Sequence, residues 1–239
     1  DSAIVSDVSL GLSGLSTSTP QVPSGGGTGL SWEAVAWLAN GNYVATWLTG
    51  ATQKFQIFDQ QGVPVGAAVA YENASAWAPA ICPLRNGGFA LAWNSESVPG
   101  PGAHRTVVSY FSAEGAQVSG PTVLSYWGGW GPAHFAALAS TTGGSICAWT
   151  SPSGVYVAVG DMSGNFSAPR LVAESPSTEW RPEITELSDD RYAIGWGGYP
   201  NQQNYAVIID GQAVRSCVTP VDSVGKGKVT TLAGIQKNG

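Results

Sequence analysis

The residues able to do covalent chemistry are few. Only two histidines occur, His104 and His134, and no Gly-x-Ser-x-Gly elbow accompanies either. A Ser-His-Asp hydrolase is therefore disfavoured. Glycoside hydrolysis needs carboxylates that converge on one cavity, and the acids placed to do so are Glu33, Glu183 and Glu186 on first strands of the repeat set out below, with Asp7 on an N-terminal strand. Counted back from Leu38 and Leu187, Glu33 aligns with Pro182 and not with Glu183, so the two acids face opposite sides of their strands. The second and third copies carry Ala80 and Ala133 where the fourth has Glu183. No catalytic residue is expected.

Metal chemistry is equally unsupported. Calcium loops cluster oxygen ligands in D-x-D-x-D-G or glycine-aspartate patterns, whereas the Asp59 to Gly62 and Asp161 to Gly164 stretches read as hairpin turns, with Asp and Gly supplying turn geometry. The three cysteines form no C-x-x-C pair and fall at different places in the repeat, as expected of small buried hydrophobes. Neither metal nor cofactor is expected.

What remains is a set of ten tryptophans. Trp47, Trp93, Trp149 and Trp196 each close an alternating apolar run after a turn signal, in the segments NGNYVATW, NGGFALAW, GGSICAW and DDRYAIGW. That is one core strand seen four times. A second group, Trp77, Trp127, Trp130 and Trp180, stands where the chain leaves one unit and enters the next, and Trp77, Trp130 and Trp180 each open a W-x-P triplet. Aromatic plates beside the polar groups of Arg181 and Tyr126 suit the apolar face and hydroxyls of a sugar. The segment YWGGW at 126–130, with two tryptophans spaced by glycines, exceeds what packing one junction needs. The competing reading is that W-x-P only packs the junction.

The elements that must position these residues follow from the repeat. From Trp47 to Gly62 is 15 residues, and the same interval separates Trp149 from Gly164 and Trp196 from Gly211. In the second copy, Trp93 to Gly115 is 22 residues, the excess lying in the Gly/Pro-rich loop NSESVPGPGAHR. Each unit reads as strand, tight turn, tryptophan strand, loop, third strand, Asp/Gly turn and fourth strand. The first strands are taken to end at Leu38, Leu84, Leu138 and Leu187. Four short antiparallel strands in about 47 residues form a blade that must stack on its neighbours to bury both faces.

The expected fold is all-β, a single β-propeller over 1–239, with repeats at about 31–76, 77–129, 130–179 and 180–224. A fifth blade combines 1–30, which alternates like outer strands, with 225–239, where residues 228–232 take the place of a first strand. Four blades are the alternative.

The unit P-x-x-x-x-L-x-N-G-G-F-A-L-A-W with its F-S-A-E-G turn resembles the tryptophan-bearing blade repeats of bacterial surface and secreted proteins and of phage appendages. Architecture is similar to the five-bladed tachylectin-type lectins. The resemblance implies a noncatalytic recognition module on a cell or virion surface or outside the cell, and leaves its ligand open. A net charge of -6 without a basic run argues against nucleic acid, and no apolar window approaches the ~20 residues that span a bilayer. The absence of an initiator methionine at Asp1 suggests a processed chain or an excised domain. Carbohydrate binding at blade junctions is the leading expectation, a structural or protein-interaction module the second, and a propeller glycosidase the third.

Overall fold

A computed structural model describes residues 31–49, 52–72, 77–95, 104–127, 136–151, 153–174, 182–188, 191–198 and 203–210. These hold fifteen strands and no helix. The first sheet comprises β1 (Ser31–Trp37), β2 (Tyr43–Thr49), β3 (Thr52–Phe58) and β4 (Pro64–Glu72). The second comprises β5 (Trp77–Pro83), β6 (Phe89–Ser95), β7 (His104–Phe111) and β8 (Gln117–Trp127). The third comprises β9 (Ala136–Thr141), β10 (Gly144–Ser151), β11 (Gly154–Asp161) and β12 (Arg170–Glu174). The fourth has β13 (Glu183–Ser188), β14 (Arg191–Gly198) and β15 (Gln203–Asp210). Within each sheet the strands lie in chain order and all pairs are antiparallel.

Turn chemistry explains why the chain folds back where it does. Asp59 Oδ1 accepts the amides of Gln61 at 2.9 Å and Val63 at 2.8 Å, and Asp161 Oδ1 accepts those of Ser163 at 2.8 Å and Asn165 at 3.0 Å. Ser112 plays the same part between β7 and β8. These carboxylates form turns, as their spacing predicted. The turn glycine has two reasons to be glycine. Gly164 adopts φ 79°, where a side chain is strained, and an added Cβ would also meet Ser119 of the preceding sheet at 2.3 Å.

The sheets stack through three apolar seams. Between the first and second lie Ala36, Leu38, Val44, Phe55 and Ile57 against Phe89, Leu91, Trp93, Val107 and Phe111. The second meets the third through residues that include Cys82, Leu84 and Tyr110 on one side and Leu138, Cys147 and Trp149 on the other. Third and fourth meet at Ile146, Val157 and Val172 against Tyr192, Ile194 and Trp196. Trp47, Trp93, Trp149 and Trp196 are all buried, and the last three each face the sheet before their own.

First strands neighbour first strands in series, β1 with β5, β5 with β9 and β9 with β13. One ion pair shows that the stack fans out from that side. Arg85, in the β5–β6 turn, donates to Glu186 on β13 at 2.8 Å, although the third sheet lies between. Flat stacking at about 10 Å per layer would hold the second and fourth sheets ~20 Å apart. The sheets therefore radiate about an axis near their first strands, in a propeller-like arc. No closed ring is formed by the described residues, and the terminal segments assigned to a fifth blade lie outside them.

Two details of the sequence reading are corrected. His104 opens β7 instead of lying in the inserted loop. Leu138 does not end a first strand, since β9 continues to Thr141. Cys147, two residues before Trp149 as Leu91 is before Trp93, pairs with Leu138 where Leu91 pairs with Ile81, which puts Leu138 three residues short of the position that Leu84 holds. The short Gly143-Gly144 turn removes the residues by which the other copies had been aligned.

Candidate functional site

Polar groups concentrate at the seam between the first two sheets. A β-bulge between Gln53 and Lys54 on β3 and Ala70 to Glu72 on β4 lets the consecutive residues Tyr71 and Glu72 both reach the second sheet, where strict alternation would turn one away. The Tyr71 ring packs edge-on to Trp93 with centroids 5.0 Å apart. Its hydroxyl is 2.7 Å from Thr46 Oγ1 and donates to Gln53 Oε1 at 3.1 Å. Burial holds that phenol well above its ordinary pKa, against the opposing bond to Thr46.

Glu72 completes the seam. Its buried carboxylate accepts the indole N–H of Trp93 at 3.2 Å and the hydroxyl of Ser95 at 2.5 Å. A buried carboxylate is costly unless its oxygens are satisfied, and here the donors come from the adjoining sheet. Glu72 thus fixes the indole of Trp93 and joins the two sheets. Ser95 is fully enclosed, so a substrate cannot reach the serine–carboxylate pair.

The same end of the second sheet carries the sequence-predicted aromatics. Ser95 pairs with Arg105, and Arg105 with Tyr126, so the three form one cross-strand row on one face of the sheet. The row runs from enclosed Ser95 through buried Arg105 to exposed Tyr126. Trp127 pairs with His104 one step further out. Trp77 begins β5 opposite Asn94, at this end but on the innermost strand, with β6 and β7 separating it from β8. At about 4.8 Å per strand, the backbones of Trp77 and Trp127 are ~14 Å apart, and they belong to different junctions. Trp130, Trp180 and Arg181 lie outside the described residues.

Glu72, Ser95 and Arg105 were not singled out by sequence. Their signal is weak, a Tyr-Glu pair ending an outer strand and an Arg opening one, and only the bulge and the stacking bring them together. Among the described residues, no three metal-ligating side chains form a group and no helix is long and apolar enough to cross a membrane. Cys82 and Cys147 are buried free thiols, and burial pushes Cys82 up to about 12 and Cys147 higher still.

Fold and seam together define an all-β chain of repeated antiparallel sheets in a propeller-like arc. No protein-family model matches the chain, and no curated protein is found to be similar to it.

Proposed function

We propose that this chain is a noncatalytic recognition module that binds carbohydrate at the sheet junctions, in a five-bladed propeller whose fifth blade combines 1–30 and 225–239. The observation that carries this reading is the graded row at the first seam, in which an exposed tyrosine stands beside a buried arginine at the end of the second sheet where β8 reaches Trp127. Aromatic faces next to fixed hydrogen-bonding groups suit a polyhydroxylated ligand. Trp77, Trp127, Trp130 and Trp180 are the proposed plates, with Arg181 and Tyr126 as polar partners. Single shallow sites are weak, so avidity across several junctions supplies useful affinity. The resemblance of its repeat to those of bacterial surface and phage appendage proteins is what supports a location outside the cell or on a virion.

A glycan array with the intact chain tests this, followed by Trp130→Ala and Trp180→Ala. Binding to at least one glycan class, abolished by either substitution with the melting temperature little changed, is the expected result. No binding to any glycan, or loss of stability equal to that of a core tryptophan variant, would reject it.

A second reading, docking of a protein neighbour, has its own support. Val63, Val65, Val69 and Val118 are exposed on or beside the outermost strands β4 and β8, and apolar side chains on an edge strand favour contact with another chain. Capture of a protein partner that is lost on Val118→Asp, with Trp130→Ala harmless, would favour this alternative.

A further inference from the structure

Position within the repeat can be counted from the buried tryptophan of each sheet. Tyr43, Phe89, Ser145 and Tyr192 each stand four residues before their tryptophan, and they pair with Trp37, Pro83, Ser140 and Glu186. These partners therefore share one level on the first strands. Pro83 and Glu186 are exposed although a preceding sheet packs beside each of their sheets, so this level meets solvent even in a formed seam. Trp37 is 59% exposed, and its exposure follows from its level without any missing neighbour. An indole in water gains little from burial, and proline, serine or glutamate serves the same level in the other sheets. Packing does not explain why Trp37 is a tryptophan.

Its neighbours hold it as a plate. Trp37 stacks on Tyr43 with centroids 6.2 Å apart and 14° between the planes, and Tyr43 stacks on the buried Phe58 at 5.1 Å. Tyr43 belongs to β2, and β1 is the edge of the sheet. The indole face that Tyr43 leaves open therefore looks past β1, towards the axis about which the sheets radiate. Polar groups stand at the same level. Glu186 is the equivalent of Trp37 on β13, and Arg85, from the turn equivalent to the one that follows Trp37, meets its carboxylate at 2.8 Å. Half of the Arg85 side chain is exposed, and a guanidinium so bonded keeps further N–H donors for a ligand.

We infer that Trp37, Arg85 and Glu186 form a saccharide site on the axial side of the first strands, separate from the sheet junctions. One sugar ring lays its apolar face on Trp37, and its hydroxyls bridge the Arg85 donors and the Glu186 acceptor. That pairing selects the class of ligand, because a flat apolar plate beside a donor and an acceptor that hold each other in place suits a ring with C–H bonds on its face and hydroxyls on its rim. Since β1 neighbours β5, the plate and the Arg85 turn are about 10 Å apart, the spacing of stacked sheets. A stacked indole and an ion-paired arginine also lose little freedom on binding. The junction plates recur from sheet to sheet, whereas Pro83, Ser140 and Glu186 replace Trp37 elsewhere, so the axial site occurs once among the described sheets. The inference rests on the carbohydrate reading and adds to it a site of a different kind.

The test is fluorine NMR of the full-length chain labelled with fluorotryptophan, its Trp37 signal assigned by loss in Trp37→Phe. The probes are the methyl pyranosides of glucose, galactose, mannose and N-acetylglucosamine, together with any glycan the array retains. A saturable shift of the Trp37 signal with at least one probe is expected. Affinity read from that signal should fall about tenfold or more in Arg85→Ala and in Glu186→Gln, with melting temperatures close to the parent because an exposed ion pair contributes little to stability. A Trp37 signal that stays still with every probe overturns the inference, and so does unchanged affinity in Arg85→Ala. The two failures are distinguishable. Movement of other tryptophan signals while Trp37 stays still removes the axial site and keeps the carbohydrate reading, whereas a blank array with no signal moving removes both.

Discussion

The seam between the first and second sheets and the seam between the second and third are built around the same buried tryptophan, yet they are filled in opposite ways. In the first, Phe55, Phe89 and Phe111 pack with centroids 4.9 to 5.2 Å apart beside Tyr71 and Trp93. In the second, Trp149 and Tyr110 are the buried aromatics, with Tyr156 and Phe166 partly buried beside them, and the rest is filled by Ala80, Ala90, Ala92, Ala136, Ala158, two cysteines and the aliphatic Leu84, Val108, Leu124 and Leu138. Each seam must fill one inter-sheet gap, and this can be done with stacked phenyl rings or with a few large rings among small and aliphatic side chains. The polar ends also differ. Trp93 donates to Glu72, whereas Trp149 stacks on Tyr156 at 6.0 Å and 16°, and Tyr110 reaches across to Ser145 at 2.7 Å. A recurring tryptophan thus marks where sheets meet without specifying what it meets.

The largest effects should come from removing that volume. Trp93→Ala and Trp149→Ala are each expected to cost about 3–5 kcal/mol in urea unfolding. A cost below 1 kcal/mol at either position would break the claim that both seams are close-packed. Replacing indole by a phenyl ring sharpens the contrast, because it removes the N–H with less loss of volume. Trp93→Phe leaves the buried Glu72 short of a donor and should cost about 1–3 kcal/mol more than Trp149→Phe, and equal costs would erase the difference between the seams.

At matched positions on the outer strands, Glu72 pairs with Gln53 and Ser125 with Thr106. Glu72→Ala should cost about 1.5–3 kcal/mol, a buried bond to a charged group, and Ser125→Ala about 0.5–1.5 kcal/mol for its 2.9 Å bond to Thr106. The reverse order would show that Glu72 does not join the sheets. Chemical access gives a smaller test of the second seam. With burial raising both thiols, Cys82 and Cys147 should resist a thiol-disulfide reagent at pH 8 until the chain unfolds, and mapped labelling of the native protein would refute their enclosure.

The smallest expected effect is at the Asp161 turn. Hydrogen bonds from the Asn165 side chain, and then from backbone amides, hold its carboxylate below the usual range. A folded-state pKa below the unfolded value contributes stability above the ordinary aspartate pKa of about 4, and that contribution is lost as pH falls through the folded value. The melting temperature of Asp161→Ala should therefore fall less than that of the parent between pH 5 and pH 2. Parallel acid limbs would remove the turn from the account.

Much of the scaffold was legible before the fold was seen. Alternation before Trp47, Trp93, Trp149 and Trp196 located the second strand of every sheet, and the Asp/Gly spacing located the turns, because both depend on neighbours within a few residues. Leu138 misled, since a shortened turn shifts register without changing composition. Of the candidate site, Tyr126 was singled out in the sequence as a polar group beside the junction tryptophans. Arg105 and Glu72 were not, because nothing local distinguishes a charge that will be enclosed by another sheet.

By itself the sequence determined the periodic part of this protein, namely repeated hairpins with one large indole per unit, since strand alternation and turn geometry are properties of short stretches of chain. The tertiary structure alone decided which oxygen meets which indole and which strand ends lie side by side. The bulge that turns Tyr71 and Glu72 to the same sheet, and the fanning that brings Arg85 to Glu186 two sheets away, arise from packing of whole sheets. Residues 101 apart in the chain have no local pattern to announce that they touch.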